Sequence, residues 1–340
     1  MLQANHSLLA HNTFGINANA RWWMEVHSAK GATEFIMDNI GAKQQYLVLG
    51  GGSNLLFVAD FPGIVLKNSI MGREVIKETA DHLWLKVGAG ENWHELVLFC
   101  LENDWGGIEN LSLIPGCVGA APIQNIGAYG VEIKDVFDSL EAIHLETATP
   151  RTFDKAACRF GYRDSYFKQE GKGKYIITSV ILRLSKRHHS LHTSYGAIQE
   201  ELAKHSGEPN IQSVSRAVIA IRQRKLPDPS EIGNAGSFFK NPIVSADAFA
   251  TLQERFPDIP HYPESDGRIK LPAAWLIQTA GWKGKRFGNY GVHDRQALVL
   301  VNHGGASGAD LFRLSEEIQQ SVRQAFSVSL EREVNVVGNR

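Results

Sequence analysis

Two glycine-rich segments constrain the fold of this chain more than any other feature. Leu47 to Phe57 reads LVLGGGSNLLF, in which an apolar, strand-like run enters Gly50, Gly51 and Gly52 and leaves through Ser53, Asn54 and a second apolar run. Glycines there let the backbone turn sharply and present several N–H groups in one concavity, which is how a chain cradles a diphosphate without cationic side chains. The same string also suits a tight strand-to-strand turn. Further on, Leu113 to Gly130 reads LIPGCVGAAPIQNIGAYG, with glycine, alanine or proline at nine of its eighteen positions. That composition suits a core strand or helix poorly, and favours a loop that a flat ligand or another backbone approaches closely. No GK[ST] follows the glycine triplet, and GAGENW from Gly88 lacks the third glycine of a Rossmann fingerprint. A dinucleotide on a non-Rossmann fold is the expectation.

The rest of the chain sets the class of protein. With 340 residues, 43% of them hydrophobic and 21% charged, two or three domains can each bury a core, which excludes a disordered chain and a disulfide miniprotein. Lys+Arg 35 against Asp+Glu 36 leaves a net charge of −1, so there is no positive field to hold a nucleic acid. Cys100, Cys117 and Cys158 are odd in number and lack CxxC spacing, which argues against disulfides and thiolate zinc, and for a reducing cytoplasm. The start, MLQANHSLLAHNTFG, has no basic segment, and no apolar run reaches the ~18 residues of a membrane span. A cytoplasmic protein without membrane or nucleic-acid partners, monomeric and without a metal, is expected. His188, His189 and His192, in KRHHSLH, have no acidic or cysteine partner nearby and read as a solvated loop.

Periodicity predicts an α+β chain without regular βαβα alternation. Strands are expected at Tyr46 to Leu49, Leu83 to Val87, Leu140 to Leu145, Tyr175 to Leu184, Ala297 to Val301 and Val334 to Val337. Helical spacing joins Trp93, Leu96, Val97, Cys100 and Leu101, and again Val214, Ala217, Val218 and Ile221. A helix capped by Ser307 turns Leu311, Leu314, Ile318, Val322 and Phe326 inward, and a short one starts at Pro272 and stops at Gly281. RKLPDPSEIGNAG, with two prolines and two glycines, marks a domain boundary, and a softer one falls near Asn68 to Glu78.

Four side chains could carry chemistry or merely structure. Arg163 in RFGYRDS suits catalysis or a surface pair with Asp164. Ser237 in NAGSFFKNP is a hydroxyl on a tight turn beside an apolar wall, with no GxSxG around it, so it is not a hydrolase nucleophile. Glu333 in LEREVNVV lies on a solvated face or in a pocket, and strand alternation would place Glu331, Glu333 and Asn335 together. Tyr195 in SLHTSYGAI reads as a loop aromatic.

Taken in order, NTFG at Asn12, LGGGSN, IPGCVGAAPIQNIGAYG, CRFGYRDS, KLPDP, NAGSFFKNP, QALVLVN and LEREV make a specific set. The chain resembles the UDP-N-acetylenolpyruvoylglucosamine reductase family over nearly its whole length. The resemblance implies a vanillyl-alcohol-oxidase-like FAD-binding fold of two α+β subdomains, residues 1–70 and 71–223. A third α+β domain, 224–333, would bind substrate, and a strand at 334–340 would return to the first subdomain. It also implies non-covalent FAD, NADPH as reductant and a UDP-sugar substrate. Ser237 would be the proton donor, with Arg163 and Glu333 stabilising the enolic intermediate. Tyr195, Arg222, Lys225, Asn241, Tyr262, Lys270, Lys283 and Gln296 would line the substrate site, and the Tyr195 segment belongs to the longer of two subclasses. FAD would lie against Gly50, Gly51, Gly52, Ser53, Asn54, Pro115, Gly116, Cys117, Gly119, Ile123, Gly127 and Tyr162. One departure is Arg332, where the family often has proline. A sugar-alcohol oxidase of the same fold, or a nucleotide-sugar binding protein without activity, are the competing expectations.

Overall fold

The computed structural model describes residues 1–41, 44–204 and 206–338, so the end of the expected 334–340 strand, Asn339 and Arg340, lies outside them. The chain forms two compact units. The first holds Met1–His6, Ala20–Gly52 and Pro62–Arg224, and the second Ser7–Asn19, Ser53–Phe61 and Lys225–Arg340.

The first unit is built on two sheets. Strands Gln3–Ser7, Asn19–Val26, Phe61–Asn68 and Tyr46–Leu49 lie side by side in that order, and Tyr46–Leu49 runs parallel to Phe61–Asn68. The second sheet is antiparallel, in the order Pro150–Asp154, Phe137–His144, Tyr175–Ser185, His82–Gly88, Arg73–Glu78. In Tyr175–Ser185 nearly every side chain is buried, as suits a central strand covered on both faces. The helix Trp93–Glu102 buries the five residues whose spacing predicts it, and Asn92 caps it by accepting the Glu95 N–H at 3.1 Å. Ile211–Lys225 turns Val214, Ala217, Val218 and Ile221 onto Ile198 of the helix Gly196–Leu202. His189 is not a purely solvated loop residue: its Nδ1 lies 2.7 Å from Ser185 Oγ and its ring is largely buried.

In the second unit the long helix Gly308–Phe326 has an amphipathic spacing that buries the five residues expected. Ser307 and Asp310 form a reciprocal capping box at its start. Its last buried residue, Phe326, meets Phe256 and Trp275 at ring distances of 5.0 and 5.8 Å. The short helix spans Ala273–Thr279, with Pro272 as N-cap rather than as first helical residue. Two expectations need correction. Residues 297 and 298 form a turn, so the strand runs Leu300–Asn302, with Val299 held in an isolated bridge. LEREVNVV is not one strand: Glu331 and Glu333 bond the backbone of Lys240 and Phe238, after which the chain changes partner and Asn335–Val337 runs parallel to Leu55–Phe57. The alternation expected for Glu331, Glu333 and Asn335 fails because these residues serve two different neighbours. Among the described residues, no helix is long and apolar enough to cross a membrane.

Candidate active site

Within the first unit the two glycine-rich segments meet. A Cβ on Gly51 would lie 2.9 Å from Gly116 Cα, and one on Gly50 would lie 3.3 Å from Cys117 Cβ. Gly119 is as constrained, since its Cβ would stand 2.5 Å from Ala89 Cβ. At Gly51 the need for glycine comes from backbone passing close to backbone, and at Gly119 from the close approach of Ala89, whether or not a ligand is bound. Gly52 adopts a φ of 65°, and the N–H groups of Gly51 and Gly52 take no acceptor among the described residues. Unpaired backbone donors on a left-handed turn are what a diphosphate needs, so this part of the chain fits FAD. Lys67 Nζ donates to the Gly50 carbonyl at 2.8 Å and braces the turn from the neighbouring strand. Cys117 is a wall of the cradle and not a nucleophile, because burial pushes its thiol above the usual range despite the Lys67 charge.

Arg163 sits on a tight turn in which Gly161 and Asp164 exchange backbone bonds of 3.0 and 3.3 Å, and its own φ is 52°. A left-handed non-glycine residue is uncommon, and here it aims the guanidinium at Gly127, whose carbonyl accepts a hydrogen bond from Nη2. A Cβ on Gly127 would meet Glu132 Cγ at 2.8 Å and the Val131 carbonyl oxygen at 3.0 Å as well as Arg163 Nη1 at 2.7 Å, so the position is crowded from both sides. Tyr162 lies under the same guanidinium, 5.5 Å from ring centroid to Cζ. The surface pair with Asp164 does not form the site, since the Asp164 carboxylate takes Gln169 Nε2 at 2.8 and 3.0 Å and the Ser165 N–H at 2.9 Å.

Arg222 Nε donates to the Leu113 carbonyl at 3.2 Å, while the Leu113 N–H donates to His94 Nδ1 at 3.0 Å. Burial holds Arg222 below its ordinary pKa, and Arg163 adds to that against the opposing effect of Tyr129. A buried guanidinium that also feels the Arg163 charge makes this part of the first unit electropositive. Tyr195, the residue before Gly196–Leu202, is not an ordinary loop aromatic: it packs edge-on against Tyr129 with centroids 5.3 Å apart. The helix it introduces is anchored by Glu201, which binds Arg224 at 2.6 Å and Lys204 at 2.7 Å, contacts that hold its carboxyl down at about 2.

In the second unit, Asn234 organises the turn that presents Ser237. Its buried side chain accepts the Gly236 N–H at 2.9 Å and donates to the Ile232 carbonyl at 2.8 Å, and Gly236 takes a φ of 66°. The chain then runs extended between two others. Ser237 is bridged to Val299, the Phe238 N–H donates to the Leu298 carbonyl at 2.8 Å, and Phe239 is bridged to Arg332. The Glu333 N–H reaches the Phe238 carbonyl at 2.9 Å, so Ser237 and Glu333 belong to adjoining backbone segments. Gln296 shapes the turn next to them, its carbonyl accepting the Val299 N–H at 3.0 Å and its Oε1 the Leu298 N–H at 3.3 Å. Arg332 Nε donates to Ser315 Oγ at 2.8 Å, and its guanidinium lies over the Phe312 ring at 4.3 Å.

Asn241, Tyr262 and Lys270 gather around the small sheet Ile243–Val244, Ile269–Lys270, Tyr262–Pro263. Tyr262 is exposed and pairs with Lys270 in register, and Lys270 Nζ binds Glu264 at 2.6 Å. Asn241 Oδ1 accepts the Ala273 N–H at 2.9 Å, which ties it to the start of a helix. Lys283 is exposed on the turn before Arg286–Phe287, and Lys225 is exposed at the end of its helix.

Comparison with known proteins decides the family. A model described as FAD binding domain matches residues 37–152, and one described as UDP-N-acetylenolpyruvoylglucosamine reductase, C-terminal domain, matches residues 228–337. UDP-N-acetylenolpyruvoylglucosamine reductases of Flavobacterium johnsoniae and Amoebophilus asiaticus are 50% and 52% identical over 337 residues, 99% of this chain and 99% of each relative. The chain belongs to the UDP-N-acetylenolpyruvoylglucosamine reductase family. Among solved structures, the reductase of Thermus caldophilus is 23% identical, covers 99% of this chain and 98% of its own, and has a TM-score of 0.69. A solvent-stable cholesterol oxidase, 11% identical, covers 97% and 86% with a TM-score of 0.52. These two likenesses show the fold, the α+β FAD-binding fold of the vanillyl-alcohol-oxidase type.

As a member of this reductase family the chain is an FAD-dependent oxidoreductase. Sequence reading passed over three residues that brace the segments just described: Lys67, His94 and Asn234. Asn234 alone carried a local signal, an Asn-Ala-Gly string that favours a side-chain-stabilised turn. The other two act on partners 17 and 19 residues away.

Proposed function

We propose that the chain catalyses the FAD-dependent reduction of the enolpyruvyl ether of UDP-N-acetylglucosamine to UDP-N-acetylmuramate, a step in making peptidoglycan precursors, with NADPH as the reductant. The observation that carries this reading is identity of about half the residues, end to end, with reductases named for that substrate. A cytoplasmic monomer is the proposed form. Residues 1–70 and 71–223 serve FAD and 224–333 the substrate, with the C-terminal strand returning to the first segment. The start of the substrate segment is supported by the unit boundary after Arg224, and the return of the C-terminal strand by its pairing with Leu55–Phe57, although residues 53–61 pack with the second unit.

The diphosphate of FAD would be held by Gly50, Gly51, Gly52, Ser53 and Asn54, with Pro115, Gly116, Cys117, Gly119, Ile123, Gly127 and Tyr162 around the rest of the cofactor. The chemistry supplied by the bound cofactor is delivery of a hydride, taken from NADPH, to the terminal carbon of the enolpyruvyl group. The residues then deal with the charge that develops on the substrate. Arg163 matches its carboxylate with a permanent, forked positive charge. Glu333, as a neutral acid, donates a hydrogen bond to the same group. Ser237 gives its proton to the adjacent carbon; a hydroxyl is a weak acid, but an enolate carbon is basic enough to take it when it is well placed.

Tyr195, Arg222, Lys225, Asn241, Tyr262, Lys270, Lys283 and Gln296 bind the nucleotide sugar. Tyr195 and Lys225 grip the UDP end, remote from the reacting carbons. Tyr195→Phe and Lys225→Ala should therefore raise the substrate KM more than they lower kcat, read from steady-state kinetics with NADPH saturating. Some loss of kcat accompanies it, because a remote grip helps place the enolpyruvyl group. Unchanged substrate binding in both variants would remove the UDP end from these residues.

A further inference from the structure

We propose that Asn125 and Ser165 are positioning residues that fix the Arg163 guanidinium for recognition of the substrate's carboxylate. The proposal rests on the role given above to Arg163. Asn125 is completely buried, with a φ of 45°, inside the second glycine-rich segment. Its Nδ2 donates to the Gly161 carbonyl at 2.9 Å and to Glu132 Oε2 at 3.0 Å, and its Oδ1 accepts the Lys134 N–H at 3.2 Å. Gly161 opens the tight turn that carries Arg163. On the other side of that turn, Ser165 Oγ donates to the Ile123 carbonyl at 2.6 Å. Thus two side chains, one from each segment, pin the turn to residues 123–127, and the Arg163 guanidinium bonds the Gly127 carbonyl between them.

A strained, left-handed arginine persists only if its surroundings over-determine it. Here they do so through two side-chain hydrogen bonds: without Ser165 Oγ the Ile123 carbonyl loses the partner it has here, and without Asn125 Nδ2 the Gly161 carbonyl keeps only the Asp164 N–H at 3.3 Å. Asparagine is suited to the place twice over, because it tolerates the left-handed region and because both amide hydrogens have acceptors. Aspartate would offer oxygen to the Gly161 carbonyl and to Glu132 instead.

The test is a comparison of two ligands by titration of the oxidised holoenzyme, followed by perturbation of the flavin spectrum. UDP-N-acetylmuramate carries the lactyl carboxylate, and UDP-N-acetylglucosamine lacks it. Asn125→Gly, which keeps the backbone conformation accessible, and Ser165→Ala should each retain FAD and bind the first ligand ~10-fold more weakly or worse, the scale of a lost charge-assisted bond. Affinity for the second ligand should stay unchanged. In an Arg163→Ala background neither change should cost anything more, since the group being positioned is gone. Equal losses for the two ligands, or losses that add to that of Arg163→Ala, would overturn the proposal. If Asn125→Gly does not fold, Ser165→Ala carries the same comparison alone. Arg163→Ala binding both ligands like the unaltered protein would overturn the role of Arg163, and the proposal with it, in a way distinct from a failure of Asn125 and Ser165 alone.

Discussion

Ser237→Ala is expected to leave reduction of the flavin by NADPH near normal and to slow reoxidation by the enolpyruvyl substrate by ~10²- to 10⁴-fold, the usual contribution of a general acid. The first half-reaction needs no proton for a substrate carbon; the second does. The local structure makes the change interpretable. Ser237 is held by its backbone bridge to Val299 and by the neighbouring Phe238 bonds to Leu298 and Glu333, none of which involves the hydroxyl. Removing the oxygen should therefore leave the Asn234 turn and the three adjoining segments in place. Ser237→Cys keeps an ionisable proton and should recover part of the loss. Stopped-flow absorbance reads both halves in one preparation. Equal slowing of the two would point to disturbed FAD geometry, and normal reoxidation would transfer the proton to water or Glu333.

Gly51→Val should yield a folded protein that loses most of its FAD on purification and binds added FAD about 10- to 100-fold more weakly. A Cβ at this position stands 2.9 Å from Gly116 Cα and 3.5 Å from its carbonyl carbon. The clash is with backbone, which cannot swing aside, so the two glycine-rich segments must part. Overpacking of this kind costs ~1–3 kcal/mol, and every 1.4 kcal/mol is tenfold in affinity. Gly196→Ala is the matched control, since a Cβ there meets nothing within 4 Å; it should keep its FAD. Fluorescence of the flavin released on denaturation gives the occupancy. Full retention by Gly51→Val would move the diphosphate cradle elsewhere.

What could be read from the sequence was what depends on neighbours in the chain. Tyr46–Leu49 is a strand with the bounds its composition predicts, because a short apolar run stopped by three glycines has no other economical structure. The Ser307 cap and the inward stripe from Leu311 to Phe326 were legible for the same reason. What could not be read depends on distant partners. LEREVNVV alternates like a strand, yet it serves Phe238 and Lys240 first and Asn54 to Phe57 afterwards. Residues 7–19 and 53–61 join the second unit although they are flanked in sequence by the first, a consequence of long-range packing that no local pattern encodes. In the site, the motif around Arg163 was visible, but not its left-handed backbone or its bond to Gly127, which join residues 36 apart.

The most direct measurement is an anaerobic titration of the purified holoenzyme followed by flavin absorbance. One equivalent of NADPH should bleach the visible band, and one equivalent of enolpyruvyl-UDP-N-acetylglucosamine should then restore it with formation of one UDP-N-acetylmuramate per flavin. A bleached flavin that the enolpyruvyl substrate leaves bleached, and that only oxygen restores, would contradict the proposed reaction.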